Sequence, residues 1–280
     1  MTTGTNGLAL RLFIDPEAAA LAAGATLALP EAAARHAQVR RLQPGDALVL
    51  FDGRGHEAAA EVLVMGRREV TVCVSAVAAV ERELPWAVTL ALGMPGNERM
   101  DALVEKATEL GMAALQPLVC ERSVLRLDGE RAERRRVHWL GVATAAVEQC
   151  GRTRVPEIGA VRGLQDWLAA LPAPAAAVPA AALPDAPPQA APIEPGAARW
   201  LLSLDPAAMP PAAALARCAA GTPITALSGP EGGLTPAEQE AARAAGFVPV
   251  GLGPRVLRAD TAPLALLAWL GLGALGPRTG

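Results

Sequence analysis

The segment LSGPEGGLTPAEQEAARAAG, whose first residue is Leu227, restricts the fold more than any other part of the chain. An apolar run ends in glycines and a proline, and a helix start follows at once. Thr235 occupies the N-cap position, Pro236 the first helical position, Glu238 the third residue after the cap, and Gly246 lies past the end, which is a capping-box signature. The glycines are therefore wedged between a strand and a helix. Gly232 and Gly233 allow positive φ and leave bare backbone against which a ligand can lie. A tight turn alone would also need glycine, but GLGPRVLRADTA (251–262) repeats the arrangement of strand, glycines and helix start. Two such loops predict one shared pocket, at the carboxyl ends of strands where open α/β sheets bind ligands. Neither carries the Gly-Lys-Ser/Thr of a P-loop or the Gly-x-Gly-x-x-Gly of a dinucleotide site, which argues against a nucleoside triphosphate or NAD as ligand.

The rest of the chain divides by texture. With 280 residues and 52% hydrophobic content it can bury a substantial core. Residues 1–82 are expected to form a small β-barrel: RLFI opens it, LPEAAARHAQV reads as a brief helix, and three strand-like runs follow, with turns at Asp52-Gly53 and Gly66. Residues 83–280 alternate strands with helices, which predicts a mainly parallel sheet covered on both faces. WAVTLALGM, MAALQPLV, RWLLSLDP, PITALSGP and FVPVGLG supply its strands, and ERMDALVEKATELG and residues 131–150 its first helices. The stretch 171–198, rich in Pro and Ala, reads as an irregular surface insertion.

Cysteines 73, 120, 150 and 218 are far apart and only three histidines could join them, so neither zinc nor a disulfide framework is indicated. The N-terminus lacks a basic start followed by an apolar stretch, which predicts a cytoplasmic protein. The apolar run from Thr261 to Gly276 is too short for a bilayer span and predicts a buried or interface helix. The formal net charge of −3 does not suggest nucleic acid, yet net charge hides local patches. Arginines cluster at 35, 40 and 41, at 122 and 126, and from 131 to 154; each cluster reads equally as a solvated face.

KATELG (106–111), PLVCERS (117–123), EQCGRTRVPEI (148–158) and the two glycine loops, in this order and with RLFI, HAQVRRLQPGD and LFDGRG before them, resemble the RsmE family of 16S ribosomal RNA (uracil-N3)-methyltransferases. The resemblance implies an N-terminal PUA-like RNA-binding β-barrel and a C-terminal SPOUT domain whose deep trefoil knot holds S-adenosylmethionine. It implies a homodimer that methylates N3 of a uridine in 16S ribosomal RNA, the one numbered 1498, in the 30S subunit. By matching position, Leu202, Ser203, Leu204, Leu227, Ser228, Gly229, Pro230, Glu231, Gly232, Gly233, Leu252, Gly253, Val256, Leu257 and Arg258 would line the cofactor pocket. Asp260 stands where the family usually carries Glu, and MPGNERMD lacks the lysines often found there, with Arg99 the nearest substitute.

Uracil N3 reacts only as the imide proton leaves, so the site needs a proton acceptor or a cation that stabilises the anion. Arg258 is the candidate cation, with a packing ion pair as its alternative reading. Glu231 is the candidate base or substrate positioner, with a link to loop N–H groups as its alternative. Arg35, Arg40, Arg41, Arg122 and Arg152 are candidates for RNA phosphate. Two rival functions stand beside this one: a SPOUT enzyme acting on another RNA, and a ribosome-assembly RNA-binding protein without catalysis.

Overall fold

A computed structural model of the chain describes residues 9–17, 19–67, 69–172, 198–219 and 221–274. All but the ends of the expected Pro/Ala-rich insertion lies outside the described residues. The chain forms two compact units, residues 1–83 with 144–155 and residues 84–143 with 156–280.

In the first unit the elements are β1 (Leu10–Phe13), β2 (Thr26–Ala28), α1 (Glu31–Val39), β3 (Ala47–Phe51), β4 (His56–Met65) and β5 (Val70–Ala79). The strands form one sheet in the order β1-β3-β4-β5-β2, parallel between β1 and β3 and antiparallel elsewhere. Among the described residues the ladder does not close from β1 to β2. Alternation places the core: Ala58, Ala60 and Val62 of β4 are buried while Ala59, Glu61 and Leu63 face out. They pack with Leu12, Leu48, Leu50, Val70, Val72 and Val74, and with Ala33, Ala34 and Ala37 of α1.

Residues 144–155 belong to this unit, although the change of texture along the chain places a single boundary near residue 82. The reason lies in polar groups that no local pattern reveals. Glu148 Oε1 accepts the Phe13 N–H at 2.9 Å, and its other oxygen lies 3.3 Å from His36 Nδ1. Arg152 is 5% exposed. Its guanidinium pairs with both Glu83 oxygens, and its carbonyl accepts from Arg11 at 2.9 Å. The expectation that Arg152 holds RNA phosphate is therefore corrected. Its charge is matched inside the protein, where losing one partner of a buried pair is costly.

The second unit holds β6 (Val88–Gly93), α2 (Asn97–Glu109), β7 (Ala114–Val119), most of α3 (Gly129–Cys150), β8 (Glu157–Ile158), β9 (Arg162–Gly163) and α4 (Leu164–Ala169). Then come β10 (Ala198–Leu202), α5 (Pro211–Leu215), β11 (Ile224–Ser228), α6 (Pro236–Ala244), β12 (Val248–Val250) and α7 (Thr261–Ala274). Among the described residues its seven strands are all parallel, in the order β12-β10-β11-β6-β7-β8, with β9 beside β7. Parallel strands need both faces covered and so read as continuous apolar runs; five of the six residues of β6 are buried. One core joins Leu90, Leu92, Met100, Leu103, Trp139, Trp200, Leu266 and Leu270, and another joins Leu118, Trp167, Leu201, Leu227 and Phe247. From β6 the chain adds β7 and β8 on one side, then returns to place β11, β10 and β12 on the other. That reversal is a topological switch point, where the strand-end loops splay and leave a crevice.

Candidate active site

The capping box is present. Thr235 Oγ1 accepts the Glu238 N–H at 3.3 Å and Glu238 Oε2 accepts the Thr235 N–H at 2.9 Å, which fixes where α6 begins and where the glycine loop must end. This loop follows β11 and runs beside the segments that follow β6 and β7. Gly93, the last residue of β6, leaves room for it: a Cβ there would lie 2.5 Å from Pro230 Cδ and 2.9 Å from Cys120 Sγ. Glu231 Oε1 accepts from the Gly96 N–H at 3.1 Å and from Arg99 Nη1 at 3.3 Å. Of the two readings of Glu231, the link to loop N–H groups is the one its hydrogen bonds realise.

Of the paired glycines only Gly233 has positive φ, at +68°. Gly232 was expected to share that role and does not. It is needed for a different reason, since a Cβ there would lie 2.9 Å from Arg122 Cβ. Arg122 Nη1 also donates to the Gly232 carbonyl at 3.0 Å.

The loops after β10, β11 and β12 enclose a cleft of about 720 Å3. Of the residues expected to line it, Leu202, Ser203, Leu204, Ser228, Gly229, Pro230, Glu231, Gly233, Leu252, Gly253, Val256, Leu257 and Arg258 do. Leu227 and Gly232 do not. Leu227 is fully buried in the core beneath the loop, and Gly232 faces Arg122. The cleft also takes in residues given no lining role from sequence: Arg99, Asp205, Leu234, Gln239 and Arg255 among them. Asp205 directly follows the LLSL run at a strand end, which is itself a signal for ligand contact. Gln239 sits one turn into α6, where only the direction of the helix shows that it faces the cleft.

The chemistry of the walls is mixed in a specific way. Leu204 and Val256 are 67% and 78% exposed, apolar surface left uncovered at the mouth. Arg258 and Arg255 are exposed and make no ion pair among the described residues. Two carboxylates, Asp205 and Glu231, face the same space. Nearby, burial pushes the Cys120 thiol up to about 12, the Glu238 charge adds to the rise, and the Ser123 hydrogen bond opposes it, which favours the thiol over the thiolate. Among the described residues no group of His, Cys, Asp and Glu could hold a metal ion, and no helix is long and apolar enough to cross a membrane.

Arg35, Arg40 and Arg41 lie on and just after α1, all exposed; Arg35 pairs with Glu31 at 2.7 Å, and Arg41 has a positive φ of 56°. They belong to the first unit, whereas Arg122 and the cleft belong to the second.

The second unit is a parallel α/β sheet with a glycine-loop cleft at the ends of β10, β11 and β12, and a family described as RNA methyltransferase domain matches residues 82–271. A second, described as RNA methyltransferase PUA domain, matches residues 29–74. The chain is 31% identical over 230 residues to ribosomal RNA small subunit methyltransferase E of Bacillus subtilis, covering 82% of this chain and 83% of that one. It is 32% identical to the protein of that name from Synechocystis, covering 93% and 77%. The chain belongs to the ribosomal RNA small subunit methyltransferase E family. Among solved structures it is similar to a methyltransferase E from Neisseria gonorrhoeae bound to S-adenosyl methionine, with a TM-score of 0.77, 29% identity and 93% and 96% of the two chains covered. A methyltransferase from Legionella pneumophila in complex with the same cofactor gives 0.79, 26%, and 95% and 98%.

Proposed function

We propose that the chain methylates N3 of a uridine in 16S ribosomal RNA, the one numbered 1498, on the 30S subunit in the cytoplasm, with S-adenosylmethionine as methyl donor. The observation that carries this is the cleft at the ends of β10, β11 and β12, built from strand-end loops and rimmed by Arg255 and Arg258. Its fit to the cofactor rests on the residues present. Gly233 and Gly253 both have positive φ and open space where a Cβ would stand, so backbone can approach a nucleoside closely. Leu204 and Val256 offer apolar cover for an adenine, while Asp205 and Glu231 suit ribose hydroxyls and a sulfonium cation. When bound, the cofactor supplies an electrophilic methyl group.

The chain's own residues must raise the nucleophilicity of uracil N3. Arg258 would stand beside the base and stabilise the negative charge that develops as the imide proton passes to solvent water. Glu231, already engaged by Gly96 and Arg99, would act as a positioner of the cleft wall rather than as the proton acceptor. Arg35, Arg40, Arg41 and Arg122 would hold RNA phosphate, with the base extruded into the cleft. The reading includes the family's trefoil knot, a PUA-like domain at 1–82, a catalytic domain at 83–280, and a homodimer. Support for the dimer comes from α7, which is apolar on all sides, buries Leu266, Leu267 and Leu270, and leaves Leu272 76% exposed.

Incubation with 30S subunits lacking the modification and with methyl-labelled cofactor tests the whole reading. Label should appear in 3-methyluridine at the one position. Label on another atom or another RNA, or none at all, defeats it. Sedimentation at micromolar concentration tests the dimer, and a monomer there removes that element alone.

A further inference from the structure

The sequence places Arg122 among candidates for RNA phosphate and Glu238 in a helix cap. We infer that both residues have a second role, fastening the segment after β7 to the glycine loop and so holding one wall of the cofactor cleft in its binding shape. The inference rests on the reading of that cleft as an S-adenosylmethionine site.

Three contacts carry it. Glu238 is 4% exposed, and its two oxygens point to different segments. Oε2 accepts the Thr235 N–H that closes the cap, and Oε1 accepts the Glu121 N–H at 2.8 Å. A cap alone needs only the first. The second bond crosses from α6 to the end of β7. Arg122, one residue further, returns the link by donating to the Gly232 carbonyl and by packing its stem where Gly232 lacks a Cβ. The segment that presents Arg122 is itself a tight turn: Ser123 N–H donates to the Cys120 carbonyl at 3.1 Å, and Cys120 N–H donates to Ser123 Oγ at 2.9 Å. Arg126 adds a bond to the Glu121 carbonyl at 2.8 Å. A turn stiffened in this way transmits position. Residues 228–231 and 233–234 line the cleft, so Arg122 holds the one loop residue between them that faces away from it, and Glu238 holds the residue directly after them.

A carboxylate is required for this arrangement. It accepts two N–H groups at once, whereas an amide offers one acceptor and sets an NH2 against the other donor. Charge-assisted bonds of this kind are also the stronger ones. Glu238→Gln should therefore break one of the two links. Arg122→Met keeps the stem and removes the donor.

The test is calorimetry of S-adenosylmethionine binding with no RNA present, so that loss of a phosphate contact cannot register. Glu238→Gln should weaken binding by about tenfold, and Arg122→Met, whose bond is more exposed, by about threefold. Thr235→Ala is the comparison. It loses the cap bond and lowers the melting temperature, yet leaves the Glu238 to Glu121 bond in place, and its cofactor affinity should stay within about twofold of wild type. Should Glu238→Gln fail to fold, Arg122→Met decides alone. Wild-type binding with Arg122→Met unchanged, or with Thr235→Ala as weak as Glu238→Gln, overturns the inference while leaving the cofactor reading intact. A wild-type protein that binds no cofactor overturns both.

Discussion

The two glycine loops of the cleft are built in opposite ways. The first, after β11, is fastened along its length: Pro230 lies over Gly93, Glu231 reaches Gly96 and Arg99, Arg122 holds the Gly232 carbonyl, and Glu238 closes the end. The second, after β12, is held at its ends. Gly251 N–H donates to the Met209 carbonyl, and the Arg258 carbonyl accepts from Thr261 and Ala262 at the start of α7. Between these points a Cβ at Gly253 would meet nothing, and Arg255, Val256 and Arg258 are all exposed. One wall is tied to the rest of the unit along its length; the other leaves Arg255, Val256 and Arg258 exposed. The difference teaches where affinity and chemistry should separate. Changes in the first loop should alter stability and cofactor binding together, and changes in the second should alter binding or catalysis with little effect on the fold.

The largest expected effect is at Gly93. An alanine there cannot avoid Pro230, so Gly93→Ala should destabilise by about 2–3 kcal/mol through overpacking and displace the first loop. Thermal unfolding should show a melting temperature lower by about 5–10 °C, with cofactor binding lost in calorimetry. Retained binding would break the claim that this loop is fastened from below.

Arg258→Met comes next and should show the opposite pattern. Melting temperature and cofactor affinity should stay near wild type, while methyl transfer to 30S subunits falls by about 100-fold, the scale seen when one preorganised donor to a developing anion is removed. A fall in stability instead would mean that Arg258 belongs to the packing of α7. Gly253→Ala sharpens the comparison further. No neighbour obstructs it, so only the φ of +98° is strained, at a cost of about 1–3 kcal/mol. That cost should appear mainly as weaker cofactor binding, since a loop held only at its ends can relax when empty. The smallest effect is expected at Arg255→Met: about threefold in KM for RNA, a shallower salt dependence, and unchanged cofactor affinity.

Much of this architecture is legible in the sequence. The Thr235 and Glu238 box, the strand on either side of each loop and the parallel sheet follow from capping chemistry and apolar periodicity, which act over a few residues. The lining of the cleft is legible for thirteen positions through motif resemblance. Leu227 and Gly232 are misassigned from sequence because adjacency along the chain does not say which face of a loop is turned to the cleft. The partner of Arg152 cannot be read either, because Glu83 lies 69 residues away and pairs with it only once the first unit has folded.

The sequence by itself determined where helices start, where backbone must go bare of side chains, and which runs are buried strands. Those are short-range matters of N–H groups left over at a helix end and of Cβ atoms in forbidden φ. Only the tertiary structure decided that the ends of β6, β7 and β11 lie side by side, that Pro230 closes over Gly93, and that one carboxylate at 238 serves two segments. Such pairings depend on sheet order, which is a property of the whole parallel unit: each strand is placed by the apolar surface it can bury against all the others.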